Sequence, residues 1–149
     1  MAGSTTSSTK TPWHLWVVGI ISVLWNSVGV MDFVMTEMRN AAYLSKVTPR
    51  QLEYFYGFPS WVIAAWGLAV FSGLLGSLFL LFRKRLAGSV FVVSLAGMVL
   101  TDVYNFVLTN GLEIMGEGKA ALIFPAIIFV IGMLLWLYSR AMGARGVLR

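Results

Sequence analysis

The sequence predicts an all-α polytopic membrane protein, a four-helix transmembrane bundle with a helical outer loop between spans one and two. Three observations carry that expectation. Hydrophobic residues fill 58% of the 149 positions and charged residues only 11%, far below the roughly 25% charge of a soluble domain. Four long apolar stretches contain no Lys or Arg. The basic residues fall between those stretches, so the net charge of +5 orients a membrane chain rather than meeting nucleic acid, for which no reading motif is present.

The domain organisation follows from the same pattern. Residues 1–12, "MAGSTTSSTKTP", form a polar tail expected to be disordered and cytoplasmic. Residues 13–139 form the membrane domain, with spans at 13–35, 59–82, 88–109 and 120–138, and residues 140–149 form a basic cytoplasmic tail. Each span reaches about 28 to 36 Å as a helix, enough for a hydrocarbon core of about 30 Å. The first span is not a cleaved signal, because it runs into Asp32 and Glu37 without a small-x-small site. Its opening, Trp13-His14-Leu15-Trp16, reads as an aromatic anchor at headgroup level. The rival reading pairs two copies of His14 about a haem in a symmetric dimer.

The loop over 36–58 is too long to lack structure in so small a protein. Thr48-Pro49-Arg50-Gln51 matches a capping box with proline at the first helical position, so a short helix is expected to run toward Tyr56. The segment 37–46 is expected to form another surface helix. The aromatic run "YFYGFPSW" then leads into span two at Pro59, and the whole loop should lid the outer end of the bundle.

Span two carries Ala65, Ala69, Gly73 and Ser77 at four-residue spacing, with Ser72 and Gly76 adjoining. Small residues in that register allow close helix approach, within the chain or between subunits. In span four, Pro125 produces a kink or occupies the first turns, and Trp136 with Tyr138 anchors the inner end. A short internal similarity, "DFVMT" at Asp32 against "NFVLT" at Asn105 and Phe58-Pro59 against Phe124-Pro125, suggests two helical hairpins in parallel orientation.

Basic residues set the orientation. Lys10, Arg83, Lys84, Arg85, Arg140, Arg145 and Arg149 fall on one side; Arg39, Lys46, Arg50 and Lys119 fall on the other, balanced by Glu37, Glu53, Glu113 and Glu117. The positive-inside rule therefore predicts cytoplasmic N- and C-termini in a bacterial inner membrane.

Polar residues inside the spans gather near the outer end. On span three Ser94, Thr101, Asp102, Asn105 and Thr109 share one broad helix face. On span one Ser22, Asn26 and Gly29 form a second stripe with Asp32 beside it. If both stripes face inward, Asn26, Asp32, Asp102 and Asn105 line a substrate-binding pocket open to the outside. No span supplies Asp102 with a basic partner, so it must borrow one from the loops, find neutral donors or hold a proton. The alternative is that the same groups only hydrogen-bond across helices and hold the bundle together, at about 1 kcal/mol per bond.

Cysteine is absent and His14 is the single histidine, so no metal site, iron–sulfur cluster or other cofactor is predicted. Catalytic signatures are missing too, and the chain is expected not to be an enzyme. The stretch from Gly111 to Gly116 approaches a phosphate loop, but Glu117 stands where lysine is required.

"PWHLWVVG", "LWNSVGVMD" and "YFYGFPSW" resemble segments of short bacterial four-span inner-membrane proteins loosely labelled sugar-transporter-like. The resemblance covers most of the chain from Pro12 onward and implies transport of a small solute. That group shares no mechanistic motif, so no functional residue is carried over. Small multidrug exporters are also similar in having four spans and a membrane acid, but they place a glutamate near the middle of a shorter first span and lack the outer loop. The functional expectation is thus an integral membrane carrier of small solutes, sugars among them, acting as a homo-oligomer in the bilayer. The alternative is a non-catalytic accessory subunit of a larger membrane complex, docked through the Ala65, Ala69, Gly73, Ser77 face.

Overall fold

The structure is a computed structural model that describes residues 9–116 and 118–149. Most of the expected N-terminal tail and Glu117 lie outside the described residues. Four helices are long and apolar enough to cross a membrane, and no strand occurs among the described residues. The chain is a multi-pass, all-α membrane protein. Its spans are α1 (Trp13–Glu37), α3 (Ser60–Leu81), α4 (Ala87–Val103, continued by a π-helical turn at Tyr104–Leu108) and α6 (Ile123–Ala144). The described residues before α1, the C-terminus and the α3–α4 turn share one end, here the terminal end. The opposite, loop end carries α2 (Pro49–Tyr56) and the short α5 (Gly111–Met115).

Helix endings explain the boundaries. α1, α3 and α6 each stop in a Schellman motif, with a left-handed residue just past the helix: Arg39 (φ 52°), Arg83 (φ 60°) and Gly146 (φ 70°). In each the two closing bonds form, as in Gly146 N–H to Gly143 O at 3.0 Å and Val147 N–H to Met142 O at 3.0 Å. Glycine enters that conformation without a Cβ penalty; the two arginines are held by contacts instead. Arg39 lies 4.2 Å over the Tyr56 ring, and Arg83 Nε donates to Val147 O at 3.1 Å.

The last span departs from expectation. Its α-helix begins at Ile123 after a 3-10 turn and runs six residues beyond Tyr138 to Ala144, where the Gly146 turn stops it; within that extension Arg140 lays its guanidinium 5.4 Å from the Trp136 ring and can keep its charge in the headgroup zone. The chain beyond is no free tail. Val147 and Leu148 are buried, and Arg149 N–H donates to Arg83 O at 2.7 Å while Arg85 N–H donates to Arg149 O at 3.0 Å. Pro125 is the third residue of α6, where a missing N–H costs nothing. The loop corrects a second expectation: residues 37–46 form a 3-10 turn at Tyr43–Lys46 rather than a surface helix. The capping box at Thr48 forms in full, with Gln51 N–H to Thr48 Oγ1 at 3.3 Å and Thr48 N–H to Gln51 Oε1 at 3.1 Å. The two copies of the internal similarity differ in structure. "DFVMT" is regular α-helix, whereas "NFVLT" is the π turn and its exit.

α3 is the central helix, packed on α1 along one side and on α4 along the other, with α6 on the far side of α4. The small-residue stripe makes this possible. Ala65, Ala69, Gly73 and Ser77 are all buried inside the chain, so this face is not free to dock a partner subunit. At the closest approach of α3 and α4, a Cβ on Gly97 would stand 2.7 Å from Ala65 O and 2.9 Å from Ala69 N. α1 and α6 converge only at the terminal end. There His14 Nδ1 and the Tyr138 hydroxyl share a hydrogen at 2.5 Å, above a core of Leu15, Leu80, Ala87, Phe91, Leu135, Met142, Val147 and Leu148.

Candidate functional site

Because α1 and α6 diverge from that sealed end, a cavity of 410 Å³ opens between them toward the loop end, backed by α3 and α4. Its size lies within the range of small-molecule sites. Asn26 and Asp32 reach it from α1, Ser94, Thr101 and Asp102 from α4, and Tyr43 from the loop. Trp25, Trp66, Phe91, Phe124, Ile128 and Ile131 supply apolar wall. Two carboxylates therefore face one space, and none of its described lining residues is Lys, Arg or His.

The hydrogen bonds at these walls are one-sided. Ser94 Oγ donates to Ala69 O at 2.6 Å and Thr101 Oγ1 donates to Gly97 O at 2.9 Å, so both hydroxyl protons are committed to helix backbone. Asn26 uses its Nδ2 protons on Ser22 O at 2.9 Å and Ser77 Oγ at 3.1 Å, which leaves its Oδ1 as an acceptor beside Gly73 and Ser94. Tyr43 donates to Asp32 Oδ1 at 2.8 Å. That bond to a carboxylate, aided by burial and by the charge itself, pushes the Tyr43 phenol up from its ordinary value, and the hydroxyl stays a donor. Asp102 lies half-buried with no hydrogen bond or ion pair among the described residues. The cavity presents more acceptors than donors.

Asn105 is not part of this wall. A regular helix would keep it near the Asp102 face, but α4 widens into the π turn at Tyr104–Leu108 and carries it off that line. Asn105 is buried under α2, where its Oδ1 accepts from Tyr54 Oη at 2.8 Å. Thr109 Oγ1 stands 2.7 Å from the same hydroxyl and donates to Tyr104 O at 2.9 Å, capping a carbonyl that the wide turn frees. Burial pushes the Tyr54 phenol up, against a smaller opposing effect of its Thr109 bond. This cluster fastens α2, the helix expected to lid the bundle, to the end of α4, and no residue of α2 lines the cavity. Gln51 Nε2 adds a weaker tie from α2 to Ile114 O at 3.4 Å, and the buried Phe58 stacks edge-on to Tyr54 at 5.2 Å and Tyr104 at 5.4 Å. π turns of this kind are frequent at functional sites.

Of the four residues expected to line a pocket, Asn26, Asp32 and Asp102 do share one cavity and Asn105 does not. Tyr43, Tyr54, Trp25 and Trp66 were not singled out by sequence. A signal existed for the tryptophans: interfacial Trp is common, but Trp25 lies in the middle of a 25-residue span.

No family model, curated protein or solved structure matches this chain.

A second recess lies at the terminal end between α4 and α6. It too measures 410 Å³, and Arg85, Arg140, Ser89, Ser139 and Trp136 surround it without an acid.

Proposed function

We propose that this protein is a small-solute carrier of a bacterial inner membrane, and that the α1–α6 cavity is its solute site in a state open toward the loop end. The observation that carries the reading is a ligand-sized space at membrane depth that gathers two carboxylates without a basic partner. Such groups are costly in a bilayer and mark substrate or ion pathways. The seal at His14 and Tyr138 then acts as the closed inner gate, and the Tyr54–Asn105 clasp holds the outer lid. The excess of basic residues at the terminal end supports cytoplasmic termini. The resemblance to sugar-transporter-like proteins supports the same general activity, and a homo-oligomer as the working form would hold one such cavity in each chain. An accessory-subunit role would need another docking face, since the small-residue stripe is already used within the chain.

The absence of native cysteine makes the test direct. A single Thr101→Cys variant in oriented vesicles should react with a membrane-impermeant maleimide from the loop side. Adding Tyr138→Phe should open the inner gate and admit reagent from the terminal side. Labelling from the loop side alone in both variants would reduce the cavity to a static binding site and remove the carrier reading.

A further inference from the structure

We propose that the ligand of the α1–α6 cavity is an organic monocation, a protonated amine on an apolar body, bound through Asp102 and Asn26 and admitted between α1 and α6 from the bilayer. This deepens the carrier reading and rests on the cavity being its solute site.

Charge gives the first argument. Asp32 and Asp102 face the space and no described lining residue is basic, so an anion would meet uncompensated like charge and a neutral solute would leave Asp102 unanswered and the two carboxylates, of which Asp32 already accepts from Tyr43, without a counter-charge. A cation neutralises them at the point where desolvation is most costly. Hydrogen bonding gives the second, independent of charge. Ser94 and Thr101 have spent their protons on backbone carbonyls, and Asn26 has spent both amide protons. What remains at the wall is mostly acceptor: the Asn26 Oδ1, carboxylate oxygen and the hydroxyl lone pairs, against the indole N–H groups of Trp25 and Trp66. An ammonium group has three donors and no acceptor, which matches that wall. A sugar's several hydroxyls need donors as well as acceptors, and with the wall hydroxyls committed only the two indole N–H groups could supply them.

The walls define the rest of the molecule. Trp25 and Trp66 offer aromatic surface to a cation or a ring, and Phe124, Ile128 and Ile131 offer apolar surface to a hydrocarbon body. The volume is roughly that of fourteen water molecules, too large and too greasy for a bare inorganic ion. No group of three or more acidic or histidine side chains suited to a metal occurs among the described residues. Val28 and Phe124 border the cavity and are nevertheless 57% and 64% exposed, so its mouth is rimmed by apolar side chains on the outer surface of the bundle. An amphipathic amine partitions into that layer of the membrane before it binds.

The test uses the purified full chain in lipid nanodiscs, with 2-phenylethylamine as the cationic probe and 2-phenylethanol, phenylacetate and glucose as comparators, each followed by equilibrium binding at neutral pH. Saturable binding of the amine is expected, with the alcohol, the acid and the sugar each at least tenfold weaker. Asp102→Asn should weaken the amine at least tenfold and Asp102→Glu should restore most of it, which separates a lost charge from a misfolded variant. Equal binding of the alcohol or of glucose, unchanged amine binding in Asp102→Asn, or no saturation by the amine would each overturn the proposal. Exchange of radiolabelled amine across proteoliposomes distinguishes the two readings. Binding without exchange would remove the carrier while keeping the cation site, and exchange of glucose but not the amine would do the reverse.

Discussion

Two recesses among the described residues have the same size, 410 Å³ each, and opposite charge. The acidic one is walled by four helices at the depth of the spans; the basic one is a groove between α4 and α6 near the chain ends. Their charges stand in different physical situations. Arg140 rests on the Trp136 ring at the terminal end, where a guanidinium keeps its head in water or against headgroups at little cost. Asp102 has neither the stacking nor a counter-charge among the described residues. The comparison teaches that equal volume and equal numbers of charged groups do not make equal sites. A charge that is already satisfied by its surroundings needs no ligand, whereas one held at depth without a partner is the one a ligand of opposite charge would stabilise.

The largest expected difference between the two regions lies in the helix packing around them. Gly97 lies in the α3–α4 contact behind the acidic cavity rather than on its wall, and Gly97→Ala would drive a methyl into the backbone of Ala65 and Ala69. Overpacking of that kind costs about 2 to 3 kcal/mol because backbone cannot step aside. Gly88 borders the basic groove, and the nearest atom to a new Cβ there is Ser139 Cβ at 4.0 Å. Gly88→Ala should be neutral or stabilise by up to about 1 kcal/mol through helix propensity. Thermal unfolding in one detergent compares the pair, and equal losses would show that the groove is as tightly built as the cavity.

Next in size is the effect of removing one charge from each region. Asp102→Asn should raise stability by about 1 to 2 kcal/mol, since it deletes a membrane-buried charge that nothing offsets, even as it weakens the binding proposed above. Gain of stability with loss of function is the usual signature of a site that is held under strain for a purpose. Arg140→Gln should change stability by about 0.5 kcal/mol or less, the worth of an exposed cation–π contact. A destabilised Asp102→Asn would mean that the carboxylate serves the bundle through partners formed only in the membrane or in an oligomer.

What was legible in the sequence divides along the same line between local and distant causes. The spans, the capping box at Thr48 and the inward turn of Asn26 and Asp102 follow from short-range rules: apolar length, cap chemistry, and the cost of a polar group facing lipid. The departure of Asn105 does not, because the π turn is coupled to Tyr54, 51 residues away, and no periodicity on α4 foretells it. The docking of Val147 and Leu148 was hidden in the same way. Arg140, Arg145 and Arg149 mark the segment as a solvated tail, and the Schellman turn at Gly146 that folds the two apolar residues back into the core is visible only once the helix is known to reach Ala144.

The smallest effect, and the one that sharpens the comparison most finely, concerns how each region is fastened. The basic end is clipped by backbone bonds between Arg83, Arg85 and Arg149, which do not titrate, whereas the α2 lid at the loop end hangs on the Tyr54 phenol. Tyr54→Phe leaves the buried Asn105 oxygen without that donor and should loosen α2 by about 1 kcal/mol. The loss is local, so hydrogen exchange should quicken over Pro49–Tyr56 and stay unchanged in α3. The same bond sets an alkaline limit. Burial raises the Tyr54 phenol, so its contribution is fully present below the ordinary phenol range near pH 10 and is lost as pH rises through the raised value. In the wild type the lid should therefore hold through pH 10 and open above it, while the terminal clip persists. In Tyr54→Phe the alkaline step at the lid should disappear, and a step that remained would assign the fastening to another group.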